Sequence, residues 1–131
     1  MANEIVISLY VKVEKGFFSD QFSPGQILVN QAAVGKGGYA QLIGTVAEVV
    51  DFGDVVTEGY MILRNLDTYN YIQYGPSTGG TSGSMIVFGV LRPGEVALMR
   101  VSAGMVMFAQ AITGDTTGAA ASLLDVRVYS D

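Results

Sequence analysis

The chain contains no histidine and no cysteine. Without histidine it lacks the commonest general base and the commonest metal ligand. Without cysteine it has no disulfide, no thiolate nucleophile and no thiolate-bound metal, and its redox compartment is left open. A serine nucleophile would need a lysine base, but Lys12, Lys15 and Lys36 stand in no Ser-x-x-Lys pattern. Spacing alone leaves a carboxylate pair open for acid-base work. The expectation is a protein that is not an enzyme and uses no cofactor or metal. Charge is scarce too: 15% of residues are charged, and the seven basic ones are nowhere clustered. Nucleic acid is therefore not an expected partner, because neutralisation of phosphates by Lys and Arg dominates that affinity. An anionic membrane surface is disfavoured on the same ground. No stretch approaches the roughly eighteen apolar residues of a membrane helix. Met1-Ala2-Asn3-Glu4 has no basic residue and the apolar residues after it alternate with polar ones, so no signal-peptide core is expected.

What the chain does have is apolar surface. Half of its 131 residues are hydrophobic, which excludes a disordered chain, since burial can offset the entropy of ordering. The length fits one domain over 1–131. With so few charges to cover the outside, part of the surface is expected to be buried against other subunits. The expected assembly is a homo-oligomer, a trimer ahead of a dimer.

Periodicity points to strands. From Glu4 to Glu14, apolar Ile5, Ile7, Leu9, Val11 and Val13 alternate with polar residues, the pattern of a half-buried strand. Residues Phe17 to Gly25 read as a loop. Its phenylalanines Phe17, Phe18 and Phe22 either fold over the end of the core or meet a neighbouring subunit. Gln26 to Val34 is a second strand, closed by Gly35-Lys36-Gly37-Gly38. Tyr39 to Val50 is a strand bent at Gly44 or a strand pair, its β-branched residues arguing against a helix. Strands are then expected at Gly59 to Asn65, Tyr69 to Tyr74, Ser84 to Leu91, Glu95 to Ser102, Met105 to Ala111 and Leu123 to Tyr129. Arg92-Pro93-Gly94-Glu95 is a tight turn, with Pro93 presetting φ and Gly94 supplying a positive one. Small-residue loops are expected at Gly75 to Gly83 and from Thr113. Eight to nine short strands without a helix make an all-β fold, an antiparallel β-sandwich with jelly-roll or Greek-key winding.

Several patterns imitate known chemistry. Asp51-Phe52-Gly53 spells a kinase triplet without the rest of that machinery, and reads as a turn. The Gly75 to Ser84 loop has no lysine and precedes a strand, unlike a phosphate loop. Asp51, Asp54 and Glu58 could offer oxygens to calcium, but without the spacing of a calcium loop. Tyr69, Tyr71 and Tyr74 are candidate contact residues and could stack a sugar, although alternation puts Tyr74 on the opposite face from the other two. Methionines 61, 85, 99, 105 and 107 read as core filler. Arg64 and Arg100 lie on expected strands, where a half-buried guanidinium calls for a carboxylate. Asp67, Glu58 and Glu95 are the carboxylates available, and pairs of this kind would brace the loops around Asp67 and Arg92. The alternative is that the arginines are independent and solvated.

Two segments carry a family resemblance. Gly59-Tyr60-x-x-x-Arg64-Asn65-Leu66-Asp67-x-x-Asn70-Tyr71-Ile72-x-x-Gly75, followed by Leu91-Arg92-Pro93-Gly94-Glu95-x-Ala97-x-x-Arg100-Val101, resembles small virion proteins of tailed bacteriophages. The resemblance spans roughly Thr57 to Tyr129 and rests on turn and strand patterning. It implies a structural β-domain of the virion, a decoration or cement protein on the outer surface of the head that bridges subunits of the major capsid protein. A formal charge of −5 fits the outside of the head better than a lumen filled with DNA. A neck or tail component and a carbohydrate-binding module are the alternatives.

Overall fold

The computed structural model describes residues 4–33, 35–112 and 121–131. The chain divides into two compact units, Met1–Val34 and Gly35–Asp131, where the sequence suggested one domain. The small-residue loop expected from Thr113 falls outside the described residues.

The first unit is a ribbon of two strands' width. It comprises β1 (Ile5–Ser8), β2 (Val11–Lys15), β3 (Phe18–Phe22) and β4 (Gln26–Val29). β2 pairs with β3 and β1 with β4, all antiparallel. Two features of the sequence produce this. Gly16 takes a φ of 59°, the left-handed value a two-residue hairpin turn needs to match strand twist. The stretch expected to be a loop over the core is therefore mostly strand. At the other break, Leu9 and Tyr10 face Ser23, Pro24 and Gly25, one residue more. Pro24 has no N–H for a ladder and Gly25 has a φ of 84°, so the pairing is interrupted there as at a bulge. The expected strand from Glu4 to Glu14 is accordingly two strands.

The second unit is a sandwich of nine strands: β5 (Lys36–Gly37), β6 (Ala40–Ile43), β7 (Glu48–Val49), β8 (Glu58–Asn65), β9 (Tyr71–Pro76), β10 (Gly89–Leu91), β11 (Val96–Arg100), β12 (Met107–Ile112) and β13 (Ser122–Ser130). One sheet has the order β10-β9-β12-β7. The other has β11-β8-β13-β5, with β6 also on β13. All the pairings are antiparallel. The fold is thus the expected all-β sandwich, but with thirteen short strands among the described residues because several of the expected runs are broken. Tyr39 to Val50 holds two strands, β6 and β7, which do not pair with each other but join different sheets.

Alternation explains the core. On β8 the inward positions are Gly59, Met61, Leu63 and Asn65; on β13 they are Ser122, Leu124, Val126, Val128 and Ser130. Their apolar members join Ile72 and Tyr74 of β9, Leu91 of β10 and Met107, Ala109 and Ala111 of β12 in one cluster. Each fully buried Leu, Ile, Val or Met side chain contributes about 1.5–3 kcal/mol relative to exposure. Met61 and Met107 are in this core, and Met99 and Met105 pack against it, in keeping with their reading as filler. Among the described residues no helix is long and apolar enough to cross a membrane.

Candidate functional site

At one end of the sandwich two connections are tied to a single side chain. Asn65, the last residue of β8, is fully buried. Its Nδ2 donates to the carbonyls of Asn70 at 2.9 Å and Leu91 at 3.0 Å, and its Oδ1 accepts from the N–H of Asp67 at 2.9 Å. Its backbone is used as well: Asn65 N donates to Glu95 O and Gly94 N donates to Asn65 O. One asparagine thus fixes the 66–70 loop and the β10–β11 turn to the end of β8. Alternation along β8 places this position inward. Its polarity there is the signal of a buried hydrogen-bonding role, since buried polar groups are retained where they are fully partnered.

The two loops carry their own caps. Asp67 Oδ1 accepts from the N–H groups of Tyr69 at 2.7 Å and Asn70 at 2.9 Å. These bonds hold its carboxyl below the usual carboxylate range, outweighing the opposing effect of burial. In the turn, Glu95 Oε2 accepts from the N–H of Arg92, and Glu95 N donates to Arg92 O. Asp67 and Glu95 thus close their turns through backbone groups, whereas the expected bracing was by carboxylate–guanidinium pairs, and Asp67, Arg92 and Glu95 form no such pair.

The arginines find other partners. The Arg92 guanidinium sits 5.6 Å from the Tyr71 ring centre. Arg100 lies 5.0 Å from the Tyr60 ring centre and donates to Asp131 Oδ1 at 2.9 Å. Glu58, one of the carboxylates proposed for it, instead accepts from the N–H of Gly104 at 2.8 Å. Arg64 is exposed, and its neighbour in register on β13, Asp125, pairs with Arg127 at 3.3 Å. Arg64 matches the solvated alternative. Both partners of the Arg100–Asp131 pair are close to half exposed, so solvent screens it. Replacing Arg100 with Met is expected to leave the melting temperature within a few degrees of wild type. Thermal denaturation checks this, and a fall of more than about 10 °C would contradict it.

The aromatic candidates separate by environment. Tyr74 is 8% exposed and belongs to the core. It points inward with Ile72 while Tyr71 and Gln73 point outward, so it offers no contact surface. Burial pushes its hydroxyl upward in pKa. Tyr69 is exposed in the loop before β9, and Tyr71 lies beneath Arg92. The three tyrosines do not share one stacking face. Phe17 is fully exposed at the tip of the β2–β3 turn, and Phe18 and Phe22 are exposed on β3, so the first unit buries none of them.

A larger apolar surface lies where residue type gave less warning. β10 and β11 are each the edge strand of a sheet. Between them runs an open groove of about 610 Å3 lined by Tyr74, Phe88, Val90, Leu91, Glu95 and Val96–Met99. Phe88, Val90, Val96 and Leu98 are exposed along it, Phe88 by 72%, and Ile86 and Val87 are exposed just before it in the chain. The sequence did contain a signal: Met85 to Leu91 is apolar at nearly every position, so whichever face packs inward, the other must show apolar groups. Residues 86–88 also run beside β9, with Ile86 N donating to Pro76 O and Phe88 N to Tyr74 O.

The loop that follows β9 is braced by its own hydroxyls. Ser77 Oγ donates to Gly80 O and accepts from Gly79 N, and Thr78 Oγ1 accepts from Ser84 N. Of the possible calcium ligands, Asp51 Oδ1 accepts from Gly53 N at 2.8 Å and closes its own turn. Among the described residues, no three acidic side chains gather as a metal site would require. The end of the sandwich is thus a set of braced turns beside an open apolar edge, a geometry for contact. The chain matches no known family model, no curated protein and no solved structure.

Proposed function

We propose that the protein is a non-enzymatic structural component of a tailed-phage virion, a decoration or cement protein on the outer surface of the head. Its partners are the major capsid protein and further copies of itself. The observation that carries the reading is the apolar edge of the sandwich, where Phe88 just before β10, Val90 on β10, and Val96 and Leu98 on β11 stand exposed, each strand being paired on one side only among the described residues. Exposed apolar rows of this kind mark interaction sites, and an uncovered edge strand is open to pairing. The resemblance of the turn motifs to those of small virion proteins and the net charge of −5 support the same assignment. The mechanism is passive. A braced sandwich lays its edge across neighbouring capsid subunits, and the added buried area favours the assembled state by mass action.

Undecorated heads mixed with purified protein at micromolar concentration test this directly. The protein is expected to sediment with the heads, and Phe88→Asp to remain in the supernatant. A wild-type protein that stays in the supernatant would remove the assignment. Binding to isolated portal or tail assemblies in place of heads would move the protein to the neck or tail.

A further inference from the structure

The ribbon at residues 11–22 has a one-sided surface for which the first unit supplies no core. We propose that copies of the chain assemble through that face. The proposal deepens the homo-oligomer part of the reading above and does not depend on its virion part.

The register defines the face. Directly opposed residues of an antiparallel pair point to the same side, and successive pairs alternate sides. The pairs Val11/Phe22, Val13/Asp20 and Lys15/Phe18 therefore share one face, and Lys12/Gln21 and Glu14/Ser19 share the other. The second face is wholly polar, and its charges are already matched, Lys12 bonding Glu14 at 2.9 Å. The first face is apolar, with Val11, Val13, Phe18 and Phe22 all exposed. An isolated two-stranded ribbon is at best marginally stable in water and needs such a face covered.

Charge complementarity identifies what covers it. The apolar face carries one cation, Lys15, and one anion, Asp20. Among the described residues neither has an ion-pair partner. Lys15 is on β2 and Asp20 on β3. When ribbons turn these faces toward a common symmetry axis, β2 of one copy comes beside β3 of the next. Lys15 then lies within reach of the neighbouring Asp20, and the phenylalanines and valines close around the axis. A second copy supplies both what the face lacks, apolar cover and the opposite charges, and closed symmetry is the usual form of such assemblies. The charge pair fixes register and excludes shifted arrangements.

Light scattering on the full chain after size exclusion reads the outcome. The wild type is expected at a multiple of the 13.8 kDa chain mass. Phe18→Asp/Phe22→Asp is expected at the single-chain mass, with the thermal transition of the sandwich unchanged. Lys15→Asp, which puts two anions on the face, is expected to dissociate at protein concentrations where the wild type is assembled. Lys15→Asp/Asp20→Lys, which exchanges the charges, is expected to restore the assembly. A single-chain wild type overturns the proposal. So does an oligomer unmoved by the phenylalanine changes, which would place self-contact elsewhere, as on the sandwich edge. A single-chain protein that still sediments with heads would sink this inference and leave the proposed function standing, and an assembled protein that does not sediment would do the reverse.

Discussion

Replacing Asn65 with Ala is expected to destabilise the sandwich by about 3 kcal/mol, more than any surface change in the same loops. Alanine leaves Leu91 O, a buried carbonyl, without its donor, and removes the partners of Asn70 O and Asp67 N. A buried group left unpaired costs about 1–3 kcal/mol. The other two groups are only partly buried, so water recovers much of their loss. The cost should appear as a fall of roughly 10 °C or more in melting temperature. Asn65→Asp separates hydrogen bonding from size. Its carboxylate would face two carbonyls, so the buried acid should titrate above its unfolded value of about 4. Stability lost at neutral pH should then return as pH falls through that raised value, because the protonated acid is the tolerated form. A melting temperature for Asn65→Ala within about 2 °C of wild type would show that the hub is not needed.

Gly75→Ala is expected to cost at least as much, on the order of 4 kcal/mol, by a different mechanism. A Cβ built on Gly75 would lie 1.7 Å from Ile86 O and 2.8 Å from Phe88 N. These are backbone atoms of the segment hydrogen-bonded alongside β9, so no side chain can rotate away. Against this stands the usual benefit of Gly→Ala through the unfolded chain, about 0.4–1 kcal/mol, which is too small to compensate. The strand must separate from its neighbour, carrying the exposed edge around Phe88 with it. Chemical denaturation would measure the loss. In the co-sedimentation assay, head binding should fall more than the residual folded fraction explains. A fully stable Gly75→Ala protein would mean that the 86–88 segment does not lie against β9.

These two sites illustrate how far the sequence could be read. Strands were expected at Gly59 to Asn65 and Leu123 to Tyr129, close to β8 and β13, and Met61 was read as core, because runs of β-forming apolar residues leave a direct trace in sequence. The sequence placed Asn65 only at the end of its strand. It could not show the carbonyls it meets, since Leu91 is distant in the chain. The Arg92–Glu95 turn was legible because Pro93 and Gly94 act locally. Arg100 was given the wrong carboxylate because Asp131 is brought to it only by folding. Tyr74 was judged by residue type, when the Tyr71 to Tyr74 alternation shows only that Ile72 and Tyr74 share a face and not that this face is the buried one. The β2–β3 hairpin was missed because its turn is Gly16-Phe17, without the Asn-Gly or Asp-Gly signal of such turns. The apolar edge at β10 and β11 was hidden by its own hydrophobicity, which reads as core until the topology shows both strands at a margin.

The placement of β13 has a kinetic consequence. This strand lies between β8 on one side and β5 and β6 on the other, yet it is the latest of them in the chain. During synthesis, β5 and β6 emerge without the strand that joins them to β8, so this sheet stays incomplete until residues 122–130 arrive. The pairing of Gly37 with Val128 then closes one of the longest loops in the chain, an entropic cost that precedes its reward and slows folding. The sandwich is expected to fold late and as a unit, after an interval in which its half-made sheet depends on whatever keeps nascent apolar strands apart.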